Sequence, residues 1–78
     1  MTNLEQYTNI FAETFGVDAA EAGELEYQAI REWDSVGHMA LIAALEETFD
    51  IMLDTDDIID FSSFAKGREI MKKYDVAI

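Results

Sequence analysis

Ser35 stands at the mouth of a strongly patterned segment: Trp33-Asp34-Ser35-Val36-Gly37-His38-Met39 runs straight into Ala40-Leu41-Ile42-Ala43-Ala44-Leu45-Glu46-Glu47-Thr48-Phe49-Asp50. A serine hydroxyl at a helix N-terminus is placed to carry a covalently attached phosphate, because free backbone N–H groups and the positive end of the macrodipole favour an anion there. That chemistry belongs to a carrier rather than a catalyst. The plain alternative is a first-turn hydroxyl with no chemistry, and the Asp34-Ser35 pair alone favours it, since both residues are common helix caps.

The other reactive side chains form no catalytic or metal-binding set. His38 is the only histidine and lies one helical turn beyond Asp34. Without cysteine, a second histidine or a His-Glu-x-x-His pattern, a zinc site has no ligands. As a general base His38 has only Ser35 for a nucleophile, and three residues of helix leave the two on neighbouring faces. Asp50, Asp54, Asp56, Asp57 and Asp60 suggest calcium, but a loop counted from Asp54 puts Ile59 at the glycine position and Ala65 at the closing glutamate. Glu46 and Glu47 are adjacent on a helix and point about 100° apart, so they are a docking surface rather than an acid/base pair. No metal is expected, and no nucleophile, base and oxyanion set of an enzyme is present.

These residues need elements to position them, and the apolar pattern supplies helices. Thr2-Asn3-Leu4-Glu5 fits a capping box. Behind it Leu4, Tyr7, Ile10, Phe11 and Phe15 make one stripe of a first helix that Gly16 can end. Residues 17–34 read as a long loop, with at most a short turn, laying Val17, Leu25, Tyr27, Ile30 and Trp33 across the core as anchors. Asp34 caps a second helix with Val36, Met39, Ile42, Leu45 and Phe49 at helical steps and Leu41 widening the stripe. Asp54-Thr55-Asp56-Asp57 starts a short third helix with Ile58, Ile59 and Phe61 as buried candidates. Ser62 or Ser63 caps a fourth through about Tyr74, with Phe64, Ile70, Met71 and Tyr74 inward and Lys72 and Lys73 in the last turn. Gly67 inside that helix marks a close helix contact. The fold class is all-α: one domain over residues 1–78, a four-helix bundle with a long first loop and a short third helix.

Seventeen acids against five bases give a net charge of -12. Nucleic-acid binding through phosphate neutralisation is excluded by that sign, and basic protein surfaces are the expected partners. Half the residues are hydrophobic, too many for a disordered acidic tail. The N-terminus lacks the basic and apolar regions of a signal peptide, and no apolar run approaches the ~20 residues of a membrane span. A soluble, cytoplasmic monomer that makes no membrane contact is expected.

Asp34-Ser35-Val36, followed by Leu45-Glu46-Glu47-Thr48-Phe49-Asp50 and then Leu53 beside an acidic run, resembles an acyl carrier protein. The likeness is specific over residues 33–53 and extends from about residue 4 to 74. It implies a bundle of acyl-carrier type and a 4′-phosphopantetheine arm on Ser35, transferred from coenzyme A by a phosphopantetheinyl transferase. It further implies that Asp34, besides capping, helps present the serine, and that His38 is a surface residue beside the arm with a nitrogen available to its phosphate. Val36, Met39, Glu46, Glu47, Asp54, Asp56 and Asp57 correspond to the surface that meets basic docking patches on activating ligases, acyl-transfer and condensing enzymes. Gly37 and Ala40 stand where fatty-acid carriers usually have acids, which favours a stand-alone carrier of a specialised pathway over housekeeping fatty-acid synthesis. The alternatives are an aminoacyl or peptidyl carrier of nonribosomal synthesis, whose usual glycines before the serine are replaced here by Arg31-Glu32-Trp33, and an unmodified acidic interaction domain. Cargo and pathway stay open.

Overall fold

The computed structural model describes all residues, 1–78, and is all-α, with five helices and a single isolated β-bridge. Helix α1 (Asn3–Phe15) begins with a complete capping box: Thr2 Oγ1 accepts the Glu5 N–H and Glu5 Oε1 accepts the Thr2 N–H, each at 3.1 Å. It ends at Gly16, whose φ of 67° is the left-handed conformation that glycine adopts without strain. Tyr7, Ile10, Phe11 and Phe15 are buried, while Leu4, in the first turn, stays exposed.

The segment expected as a loop holds one further helix, α2 (Ala19–Ala22), which buries Ala22. Beyond it the chain passes through turns and is clipped at Glu26 to the start of the last helix. Tyr27 N–H donates to the Ser62 carbonyl and Phe64 N–H to the Leu25 carbonyl, both at 2.9 Å, around the antiparallel bridge Glu26 to Ser63. A turn with Gln28 at φ 65° returns the chain so that Gln28 N–H reaches the Trp33 carbonyl at 2.9 Å.

Helix α3 (Ser35–Phe49) buries Leu41, Ile42 and Leu45. Val36 and Met39, read as part of the same stripe, are 80% and 54% exposed. Helical geometry explains the difference: a three-residue step falls about 60° short of a full turn, so three steps from Val36 to Leu45 rotate the series through roughly half the circumference. Helix α4 (Thr55–Asp60) buries Asp57, leaves Ile58 half-buried and exposes Ile59 by 72%, so the expected burial of Ile59 is corrected. Asp54 occupies its N-cap without a side-chain cap bond, while Phe61 just past its end is buried. Helix α5 (Phe64–Lys72) is capped by Ser63, whose Oγ accepts the Lys66 N–H at 2.9 Å. A Cβ on Gly67 would overlap the Phe61 ring and the Tyr7 hydroxyl, so the close approach there is to these two side chains.

Aromatic rings dominate the core. Trp33 is fully buried and stacks on Phe15 at 5.1 Å between centroids, with Phe11 edge-on at 5.5 Å. Phe11 also meets Phe64 edge-on at 5.0 Å. Tyr7 donates its hydroxyl to the Phe64 carbonyl at 2.7 Å, and burial, opposed in part by Arg68, pushes that hydroxyl's pKa well up.

Two acids of the expected docking surface make bonds within the fold. Glu46 is half-buried and its Oε2 accepts the Leu53 N–H at 2.9 Å, tying the end of α3 to the next connection. Asp57 is buried, takes the Lys73 ammonium on Oδ1 at 2.6 Å and the Tyr74 hydroxyl on Oδ2, and so fastens α4 to the end of α5. Its assignment to the docking surface is corrected: burial sets the carboxylate inward, where only a cation and a hydroxyl make it tolerable. The Lys73 hydrogen bond, aided by that of Tyr74, holds the Asp57 carboxyl below its ordinary range. A depressed native pKa contributes stability above the unfolded value near 4 and loses it as pH falls through the native one. Asp57→Asn is therefore expected to lower the thermal midpoint at pH 7 and to flatten the acid limb of midpoint against pH below about pH 4; equal loss at every pH would contradict this role.

Candidate functional site

Ser35 is the first residue of α3 and is exposed. Asp34 precedes it in extended conformation, and its Oδ1 accepts the Gly37 N–H at 2.8 Å, the N-cap bond expected of it. The N–H groups of Ser35 and Val36 have no protein acceptor, so the helix mouth retains two donors beside the Ser35 hydroxyl. Ser35 Oγ lies 3.3 Å from the Tyr27 hydroxyl, and either oxygen can donate.

Beside this pair opens a largely apolar cleft of about 410 Å³. Ser35, His38 and Met39 contribute from α3, Ile58 and Ile59 from α4, Phe61 and Ser62 from the connection after it, and Tyr27 from the clipped segment. The exposed Met39 and Ile59 thus line a cleft instead of a core.

His38 is half-buried and both ring nitrogens are engaged, which corrects its reading as a surface residue with a nitrogen to spare. Trp33 Nε1–H donates to His38 Nδ1 at 3.0 Å, and His38 Nε2 lies 2.8 Å from the Ile58 carbonyl oxygen. The indole nitrogen only donates and the carbonyl only accepts. The imidazole is therefore neutral and carries its proton on Nε2. The ring also lies parallel to Trp33, 16° between planes, with Tyr27 edge-on at 5.4 Å.

Among the remaining expected contact residues, Val36, Glu47, Asp54 and Asp56 are exposed. No group of three or more His, Cys, Asp or Glu side chains converges to hold a metal ion. No helix is long and apolar enough to cross a membrane.

Two site residues escape sequence reasoning. Tyr27 sits in an aperiodic stretch and reaches Ser35 only because of the clip to Ser62. Gly37 reads in the sequence only as a missing acid, yet it lies where a side chain has no room: a Cβ would overlap the Glu32 carbonyl oxygen and stand 3.2 Å from the Phe15 ring. No family model matches the chain, and neither a curated protein nor a solved structure is significantly similar to it.

Proposed function

We propose that this chain is a discrete, non-catalytic carrier of the acyl-carrier type, with Ser35 bearing 4′-phosphopantetheine derived from coenzyme A. The observation that carries this reading is the accessible Ser35 hydroxyl at the mouth of α3, next to two free N–H donors and an apolar cleft. These features fit the group: the donors suit a phosphodiester, and the cleft suits an apolar segment tethered beside it. In this reading α1, α3, α4 and α5 are the four helices of a carrier bundle, and α2 is an addition to its first connection.

When bound, the arm supplies a terminal thiol that holds cargo as a thioester. The protein's own residues position and present it. Ser35 supplies the hydroxyl: its oxygen–phosphorus bond forms as the transferase breaks the phosphorus–oxygen bond to the nucleotide part of coenzyme A and takes up the serine proton. Asp34 fixes the first turn so that this hydroxyl projects from it, and Tyr27 holds the oxygen from the far side. Val36 and Met39 offer apolar contact, while Glu47, Asp54 and Asp56 offer charge to basic patches on the transferase, a loading ligase and acyl-transfer or condensing enzymes.

Incubation with coenzyme A, Mg²⁺ and a broad-specificity phosphopantetheinyl transferase is expected to add one phosphopantetheinyl group by intact mass to wild type and none to Ser35→Ala, with both proteins giving the same helical circular-dichroism spectrum. No addition to the folded wild type would overturn the reading in favour of an unmodified acidic interaction domain.

A further inference from the structure

His38 joins three parts of the molecule that meet at the cleft. It belongs to α3, accepts from Trp33 at the end of the clipped segment and donates to Ile58 on α4. Ile58 is itself a cleft wall, so the imidazole fixes the separation of α3 and α4 beside Ser35.

This bridge requires the neutral ring. A second proton can enter only at Nδ1, and there it would face the Trp33 N–H, donor against donor, at a distance of 3.0 Å. One of the two must then turn away. Trp33 is fully buried among Phe11, Phe15 and Tyr27, and its N–H makes no other hydrogen bond. The ring is the movable partner, and moving it gives up the Ile58 bond as well.

No carboxylate is ion-paired with the ring. Asp34, one turn earlier on α3, has its Oδ1 on the Gly37 N–H. On α4, Asp57 is committed to Lys73 and Tyr74, and none of Asp54, Asp56 and Asp60 makes an ion pair with the ring. From the clipped segment the Tyr27 and Trp33 rings face it, and beyond α4 the Phe61 ring lies 6.1 Å away.

We propose that His38 is a proton-sensitive pin: neutral, it clamps α4 to Trp33 and holds the cleft at Ser35 in its closed shape; protonated, it releases α4 and loosens that cleft. The pin is independent of whatever Ser35 carries.

One histidine and one tryptophan make the test unambiguous, because each gives a single set of side-chain nitrogen signals. On ¹⁵N-labelled full-length protein, long-range ¹H–¹⁵N spectra at pH 7.5 are expected to show the tautomer protonated on Nε2. From pH 7.5 to 5, the Trp33 indole N–H signal and the Ile58 and Ile59 methyl signals should move with the same midpoint as the His38 ring. In His38→Gln the indole and methyl signals should no longer follow pH in that range. A proton on Nδ1 at neutral pH, a ring that stays neutral down to pH 5, or indole and methyl signals that stay in place while the wild-type ring titrates, would overturn the proposal. The wild-type titration alone decides it, whether or not the variant folds.

Discussion

Gly37→Ala is expected to destabilise the protein by about 2 kcal/mol or more, the typical scale of forcing atoms into a filled site. The sign is opposite to the ordinary expectation. Gly37 lies inside α3 in helical conformation, where replacement of glycine by alanine normally stabilises by about 1 kcal/mol. Here the new Cβ would overlap the backbone carbonyl oxygen of Glu32, which cannot be relieved by a rotamer change. Relief requires the 28–33 turn to back away from α3, and that turn carries Trp33. The variant should therefore also loosen the Asp34 cap on the Gly37 N–H, beside the Ser35 hydroxyl. A urea melt followed by circular dichroism gives the stability. A midpoint equal to or above that of wild type would show that the turn gives way freely.

Trp33→Ala is expected to cost about 3–5 kcal/mol, the range for truncating a large buried aromatic. A domain of this length has roughly 4–12 kcal/mol in total, so the variant should lose a large fraction of its stability and melt far below wild type. More than volume is lost. Trp33 stacks on Phe15, meets Phe11 and Tyr27 edge-on, and provides the only donor to His38 Nδ1. Trp33→Phe keeps much of the volume while removing that donor, and should cost clearly less than alanine. The tryptophan is the sole one in the chain, so far-ultraviolet circular dichroism replaces fluorescence as the readout. Equal loss for the two variants would place the weight on the indole N–H rather than on packing.

What the sequence made legible is what lies within one helical turn of itself. The Thr2–Glu5 box, the Asp34 cap and the Ser63 cap rest on side chains meeting backbone three residues away, and the Gly16 stop on its own left-handed φ and a backbone bond four residues back. The inward faces of α1 and α5 followed their periodicity for the same reason. The α3 face did not, because a run of three-residue steps drifts around the helix and carries Val36 and Met39 to the outside. Asp57 was misread because its partners lie 16 and 17 residues away, past a connection that no local rule places. His38 was misread likewise, one of its two partners being 20 residues distant. Ser35 is legible as a candidate from its position alone, but its surroundings are not: Tyr27 and the cleft lie together because an aperiodic segment folds back on residues 62–64.

That fold-back also orders events in time. The clip closes a loop of roughly 35 residues, a far larger entropic step than any helical turn within it. Helices α1 and α3 are local and can begin to form while the chain is still being made, but the wall that Tyr27 and Ser62 give the cleft cannot exist until residues 62–64 have been synthesised. A nascent chain that stops short of residue 62 thus displays the Ser35 hydroxyl bare, and only one extended past residue 64 displays it in its cleft.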